Sequence, residues 1–198
     1  MSLEQQTNNN SPTLNRPNVM AVLIMLLIAG ITRALPHPAN FAPMAAMALF
    51  GGAYINNRKL AFLLPLVAMI FSDVLLEVLF QLNLREFSGI HETMFFVYGS
   101  IVAITGIGLL LNNRVKPLNV IGGSLAGSIL FFIVTNFGVY AMGATGHNST
   151  SLITTYALGI PFFQYTVLGD LCYVTLLFGS FELLKARLPQ LSLVKVRK

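Results

Sequence analysis

Apolar residues recur in six runs, near 19–35, 41–55, 60–82, 93–111, 118–142 and 152–184, and polar residues gather between them. An α-helix rises about 1.5 Å per residue, so about 20 residues cross the hydrocarbon core of a bilayer. The third, fourth and fifth runs meet that length and the first is marginal. The second predicts a short tilted span or a re-entrant segment. The sixth is too long for one straight crossing, and Pro161 marks the expected break. The pattern predicts an all-α fold, a polytopic membrane bundle of about six transmembrane helices over residues 19–185, with no soluble domain. Residues 1–18 are polar and rich in Asn and Gln, which predicts a disordered cytoplasmic tail; 186–198 form a basic one. A single Arg16 and no clean small-x-small site make an uncleaved first helix the expectation, not a secretory signal.

Composition supports this assignment. The chain is 55% hydrophobic and 10% charged with mean hydropathy +0.73, outside the range of soluble domains. Ten of the twelve basic residues (Arg16, Arg58, Lys59, Arg114, Lys116 and the five from Lys185 onward) fall where six crossings put one side. The positive-inside rule makes that side cytoplasmic, with both termini inside and the bacterial inner membrane as the expected location. Arg33 and Arg85 are the only cations of the opposite connectors, which also hold His37, His91 and His147. The net charge of +5 therefore reads as topology and attraction to anionic lipid, not nucleic-acid binding. Trp is absent, leaving Tyr54, Tyr98 and Tyr140 as candidate interfacial anchors. Cys172 is the only cysteine, so there is no internal disulfide, and a lone thiol makes no metal site.

The candidate chemistry lies in polar residues within apolar runs. Asp73, Glu77 and Asp170 sit where an ionised side chain costs at least ~2.5–3.5 kcal/mol unless it is paired, wet or protonated. Each aspartate follows a small residue, Ser72 or Gly169, and so caps a broken helix, bonds a neighbouring one or meets a ligand or proton. A buried polar network is the favoured reading of the pair, and Glu77, nearer the outer surface, is simply wet. Arg33 at the end of the first run pairs with a carboxylate, binds an anion or snorkels to headgroups. Pro36 and Pro38 stiffen an extended connector, and Asn40 is the expected N-cap of a helix starting near Phe41. Thr135 and Asn136 lie at membrane depth, where bonding across helices is the favoured use and ligand contact the alternative. Tyr156, Gln164 and Tyr165 flank the proline break, which exposes backbone groups to a ligand or to neighbouring side chains. The histidines have no paired spacing, so no metal or cofactor is expected.

Two spacing patterns add to the architecture. Pro65 precedes Asp73 by eight residues and Pro161 precedes Asp170 by nine, on runs expected to point in opposite directions, as in inverted-repeat transporters. Gly123 and Gly127 form a GxxxG favoured as internal packing, whereas the Ala45, Ala48 and Gly52 side of run two is the expected face for a transmembrane partner.

The strings RALPHPANFAPMAAMALFGGAY (33–54), PLVAMIFSD (65–73), FFIVTNFGVY (131–140) and YALGIPFFQYTVLGDL (156–171) resemble the hallmarks of an uncharacterised bacterial integral-membrane family. That family is distantly similar to the S components of energy-coupling factor transporters. The resemblance spans about residues 20–182 and implies an S-component-like six-helix protein that binds a small molecule on the outer side. It also implies a transmembrane coupling subunit and separate ATPases as partners. The segment 145–151 departs from the family pattern, which has a Tyr-Pro pair before the threonine.

The expected function is an integral membrane substrate-binding or transport protein for a small polar organic solute. Arg33, Asn40, Asp73, Thr135, Asn136, Tyr156 and Asp170 are the expected binding residues. The alternative is a non-transporting structural or assembly protein with a buried polar network. Enzymatic activity is not expected: no HExxH, GxSxG, phosphate-binding glycine loop or Ser/His pairing occurs.

Overall fold

The computed structural model describes residues 16–144, 151–188 and 191. Among them are six helices and no strand: α1 (Arg16–Thr32), α2 (Met44–Tyr54), α3 (Arg58–Gln81), α4 (Met94–Leu110), α5 (Pro117–Ala141) and α6 (Leu152–Arg187). The last three residues of the expected N-terminal tail open α1. The rest of that tail, His147 with segment 145–150, and most of the C-terminal tail lie outside the described residues.

Three helices are long and apolar enough to cross a membrane: α3, α5 and α6, of 24, 25 and 36 residues. This is consistent with a membrane protein, but the count by length is three, not the expected six. The others are shorter, at 17, 11 and 17 residues for α1, α2 and α4. Run two loses length at its start because residues 38–43 turn before the helix can begin. Large apolar side chains line the outside at helical spacing: Leu63, Val67, Ile70 and Val74 on α3, and Ile121, Leu125, Ile129 and Ile133 on α5. Exposed apolar surface this continuous marks contact with lipid or another apolar partner.

The expected break at Pro161 does not occur. α6 is continuous through it, about 54 Å long at 1.5 Å per residue, with Pro161 on an exposed face. Beyond the proline its buried stripe is Thr166, Gly169–Asp170, Val174, Leu177–Phe178 and Phe181, repeating every three or four residues.

The bundle is organised around its shortest helix. α2 touches all five others, and every residue from Ala45 to Tyr54 is buried. Such a position demands small side chains, because close backbones are what allow helices to pack without a hydrophobic drive in lipid. Gly52 lies so close to α4 that a Cβ there would stand 2.9 Å from Gly108 Cα and press on the Thr105 carbonyl. Gly127 faces Ile104 and Ala45, and Gly123 faces Leu49 and Leu111, so the GxxxG of α5 packs internally. The Ala45, Ala48 and Gly52 face is therefore the centre of the bundle and not a surface for a partner, as had been expected from its small residues. A chain of bonds shows which ends coincide. Asn18 Nδ2 donates to the Tyr54 carbonyl at 3.4 Å, and Tyr54 OH donates to Glu182 at 2.5 Å. Asn112 donates to the Ala53 carbonyl at 3.3 Å. The start of α1 and the ends of α2, α4 and α6 thus share one end with Arg58, Lys59, Arg114 and Lys116, here termed the basic end. Tyr54 is no interfacial anchor: it is buried among Phe50, Phe178 and Phe181.

Gly52→Leu forces its side chain into the α4 backbone, where overpacking costs ~1–3 kcal/mol even with relaxation. The expected outcome is a lowered melting temperature, or loss of folded protein, in the isolated chain. A fully stable variant that fails only to bind another subunit would return this face to the surface.

Candidate functional site

At the end opposite the basic loops, α1, α3 and α4 meet in a closed ion pair. Arg33 Nη1 lies 2.6 Å from Asp73 Oδ1 and 3.0 Å from Ser72 Oγ. Tyr98 OH donates to Asp73 Oδ2 at 2.6 Å, and Ser72 Oγ donates to the Gly30 carbonyl at 2.9 Å. Both carboxylate oxygens are engaged and the aspartate is 5% exposed. The Arg33 carbonyl accepts from Arg85 Nη1 at 2.5 Å, and His37 Nε2 lies 3.3 Å from it. Tyr98 is thus a partner of Asp73 and not an interfacial anchor. Glu77, expected to be wet, accepts from Ser88 and from Gln81 Nε2, and Gly89 lets the α3–α4 connector press on the backbone at Asp73 and Glu77.

Asp170 belongs to a second, deeper network. Its Oδ1 accepts from the Ala46 amide at 3.2 Å, and its Oδ2 is 2.7 Å from Ser128 Oγ. Ala46 is the third residue of α2, whose own N-cap position holds Pro43 with no side-chain cap. The first amides of a helix have no partner within it and carry partial positive charge. Asp170 supplies that cap from another helix. The arrangement needs Gly169, where a Cβ would stand 3.0 Å from the Ala42 amide and 3.1 Å from Phe41 Cα. Asn40 is not the N-cap that the sequence pattern predicts. It adopts φ 64°, a conformation asparagine tolerates better than most residues, and turns the chain before the helix starts.

Above this cap lies a cavity of about 370 Å³, at the low end of small-molecule sites. Asn40 and Met44 line it from the start of α2. His91, Thr93 and Val97 line it from the α3–α4 connector and α4. Phe131, Thr135, Asn136 and Val139 contribute from α5, and Thr155, Leu158, Gly159 and Phe162 from α6. Thr135 Oγ1 and Asn136 Nδ2 donate at 2.8 Å to the Phe131 and Phe132 carbonyls of their own helix. They do not bond across helices as expected; each uses the i−4 carbonyl. Gly159 makes room for the Asn136 amide, whose Oδ1 lies nearest and would be struck by a Cβ there. His91 Nδ1 is 2.9 Å from Thr93 Oγ1. Partial desolvation lowers its imidazole from the ordinary range, with Asp73 opposing and Arg33 reinforcing, which favours the neutral ring.

Of the seven residues singled out in the sequence, Asn40, Thr135 and Asn136 come together at the cavity. Arg33 and Asp73 are brought together beside it, and Asp170 lies beneath it. Tyr156 is elsewhere: its hydroxyl donates to the Ile133 carbonyl at 2.7 Å and its ring packs on Phe132. Sequence reasoning missed Ser128, Thr93 and Gly159 altogether. Gly159 precedes Pro161 by two residues and was legible as a close approach; Ser128 carried no signal. No group of three His, Cys, Asp or Glu among the described residues could hold a metal ion.

The model of a family of unknown function, DUF6580, matches residues 13–191, and the chain belongs to that family. No curated protein and no solved structure matches it.

Replacing Asp170 separates capping from charge. Asp170→Ala leaves the Ala46 amide without its partner, at a cost of about 1–3 kcal/mol for each buried group so orphaned. Asp170→Asn keeps an acceptor for Ala46 and gains a donor for Ser128. Thermal unfolding is expected to show a large loss for the alanine variant and near-native stability for the asparagine variant. Equal losses would mean that the negative charge itself is required.

Proposed function

We propose that this member of DUF6580 is an integral membrane substrate-binding subunit or transporter for a small polar organic solute, similar in kind to the S component of an energy-coupling factor transporter. The observation that carries the reading is the cavity of about 370 Å³, where Asn40, Thr135 and Asn136 converge with an apolar wall from α5 and α6. Concave, largely apolar sites with a few convergent polar groups are the usual form of a small-molecule site. The sequence strings at 33–54, 65–73, 131–140 and 156–171 support the S-component comparison, which adds a transmembrane coupling subunit and separate ATPases as partners. A second reading, a structural or assembly protein, draws on a different observation. Arg33, Asp73, Tyr156 and Asp170 all bond within the bundle and serve its stability as they stand.

Ligand-dependent stabilisation separates the two. A saturating metabolite raises the melting temperature of purified protein by mass action, about 2.7 kcal/mol at a hundredfold excess over Kd. Asn136→Leu places a branched apolar group in the cavity and is expected to abolish that shift while leaving the unliganded melting temperature close to native. If no metabolite stabilises the protein, the structural reading stands.

The proposed topology is six crossings of the bacterial inner membrane by alternating helices, with the short α2 completing its pass inside the bundle and both termini cytoplasmic. Its support is the clustering of Arg58, Lys59, Arg114 and Lys116 at one end. In a Cys172→Ser background, Phe87→Cys is expected to react with an impermeant thiol reagent applied to intact cells and Arg114→Cys to react only after lysis. Labelling of Arg114→Cys from outside overturns the orientation.

A further inference from the structure

We propose that the cavity selects an uncharged solute that carries several hydrogen-bond donors, and that it rejects organic anions and cations. This rests on the solute-binding reading above and narrows it.

The first support is the absence of an available charge. The sequence pattern expects Arg33, Asp73 and Asp170 to meet the solute. Instead Arg33 is engaged by Asp73 at 2.6 Å, Asp73 also by Tyr98 at 2.6 Å, and Asp170 by Ser128 at 2.7 Å and the Ala46 amide at 3.2 Å. None of the three lines the cavity. Among the described residues that do, only His91 titrates near neutrality, and its surroundings favour the neutral ring. A charged solute would leave water for a wall of neutral groups with no opposite charge to meet it, which is the costliest kind of burial.

The second support is the direction of the hydrogen bonds. A threonine hydroxyl has one hydrogen, and those of Thr135 and Thr155 point to the Phe131 carbonyl at 2.8 Å and the Ser151 carbonyl at 3.2 Å. One Asn136 Nδ2 hydrogen is likewise directed to the Phe132 carbonyl at 2.8 Å. What Thr135 and Thr155 keep for an occupant is lone pairs on two hydroxyl oxygens; the Asn136 Oδ1 lies against Gly159, and Asn40 brings an amide that both donates and accepts. A solute with N–H or O–H groups satisfies them. A carboxylate or phosphate, which only accepts, finds no partner at the two threonine oxygens. Phe131 and Phe162 complete the wall, suiting an apolar body on the same molecule.

The selectivity can be read without knowing the ligand. In full-length Cys172→Ser protein, Thr135→Cys and, separately, Asn40→Cys are placed in the cavity, and Phe87→Cys serves as an exposed reference at the same end. Each is reacted with hydroxyethyl, sulfonatoethyl and trimethylammonioethyl methanethiosulfonate, which differ in charge and little in reach. After division by the rates at Phe87→Cys, both charged reagents are expected to react at least ~tenfold more slowly than the neutral one at the cavity positions. Equal normalised rates for either charged reagent overturn the proposal while leaving solute binding intact. If no reagent enters at either position, the cavity is closed to solutes, and the binding reading falls with it.

Discussion

The bond from the Ala46 amide to Asp170 joins two problems that the chain has to solve together. An eleven-residue helix at the centre of the bundle begins with buried residues, and the first amides, which have no partner within the helix, must find an acceptor elsewhere in the protein. Pro43 precedes the helix and offers no side-chain acceptor, so the acceptor comes from α6. Gly169 lets residues 41 and 42 lie directly on α6, which brings the next residue, Asp170, under the first turn of α2. Glycine followed by aspartate is thus one device, with one residue removing bulk and the other supplying the cap.

Once α2 is anchored there, its small residues determine how the other helices approach. Gly52 against Gly108 lets α4 approach closely, and Gly127 lets α5 pack on Ala45. Larger side chains would hold α4 and α5 away and open voids that dense packing does not tolerate. The cavity exists because α2 begins late. Its first helical residue, Met44, forms part of the cavity wall, and α4, α5 and α6 continue past it. A full-length second helix would fill that space.

The Arg33–Asp73–Tyr98 group does a different job. A buried ion pair gives little net stability, because desolvation offsets most of the attraction, but it enforces one arrangement since breaking it strands a charge. Here it ties the end of α1 to α3 and α4 on the side where His91 and Thr93 reach the cavity. The polar groups that looked most like a binding site are therefore bonded within the bundle beside the cavity, and the groups facing the cavity are less conspicuous neutral ones.

Helical content, the apolar runs, the polar connectors and the segregation of basic residues were all legible in the sequence, because each depends on local periodicity or on charge count alone. The alternation of small residues in α2 was also visible, but its meaning was not: a small face suits an internal crossing and an external partner equally well. Asp73 and Asp170 were legible as buried and polar, and a buried network was the favoured reading. Which groups they meet depended on contacts between residues 40 and 124 positions apart in the chain, which no local pattern encodes. The same holds for Asn40, whose local chemistry suited a cap until the turn at φ 64° placed it at the cavity. By itself the sequence determined which segments leave water and which do not. Tertiary structure alone decided which polar atoms find a partner inside the protein and which are left facing open space, because that depends on the relative placement of helices distant along the chain.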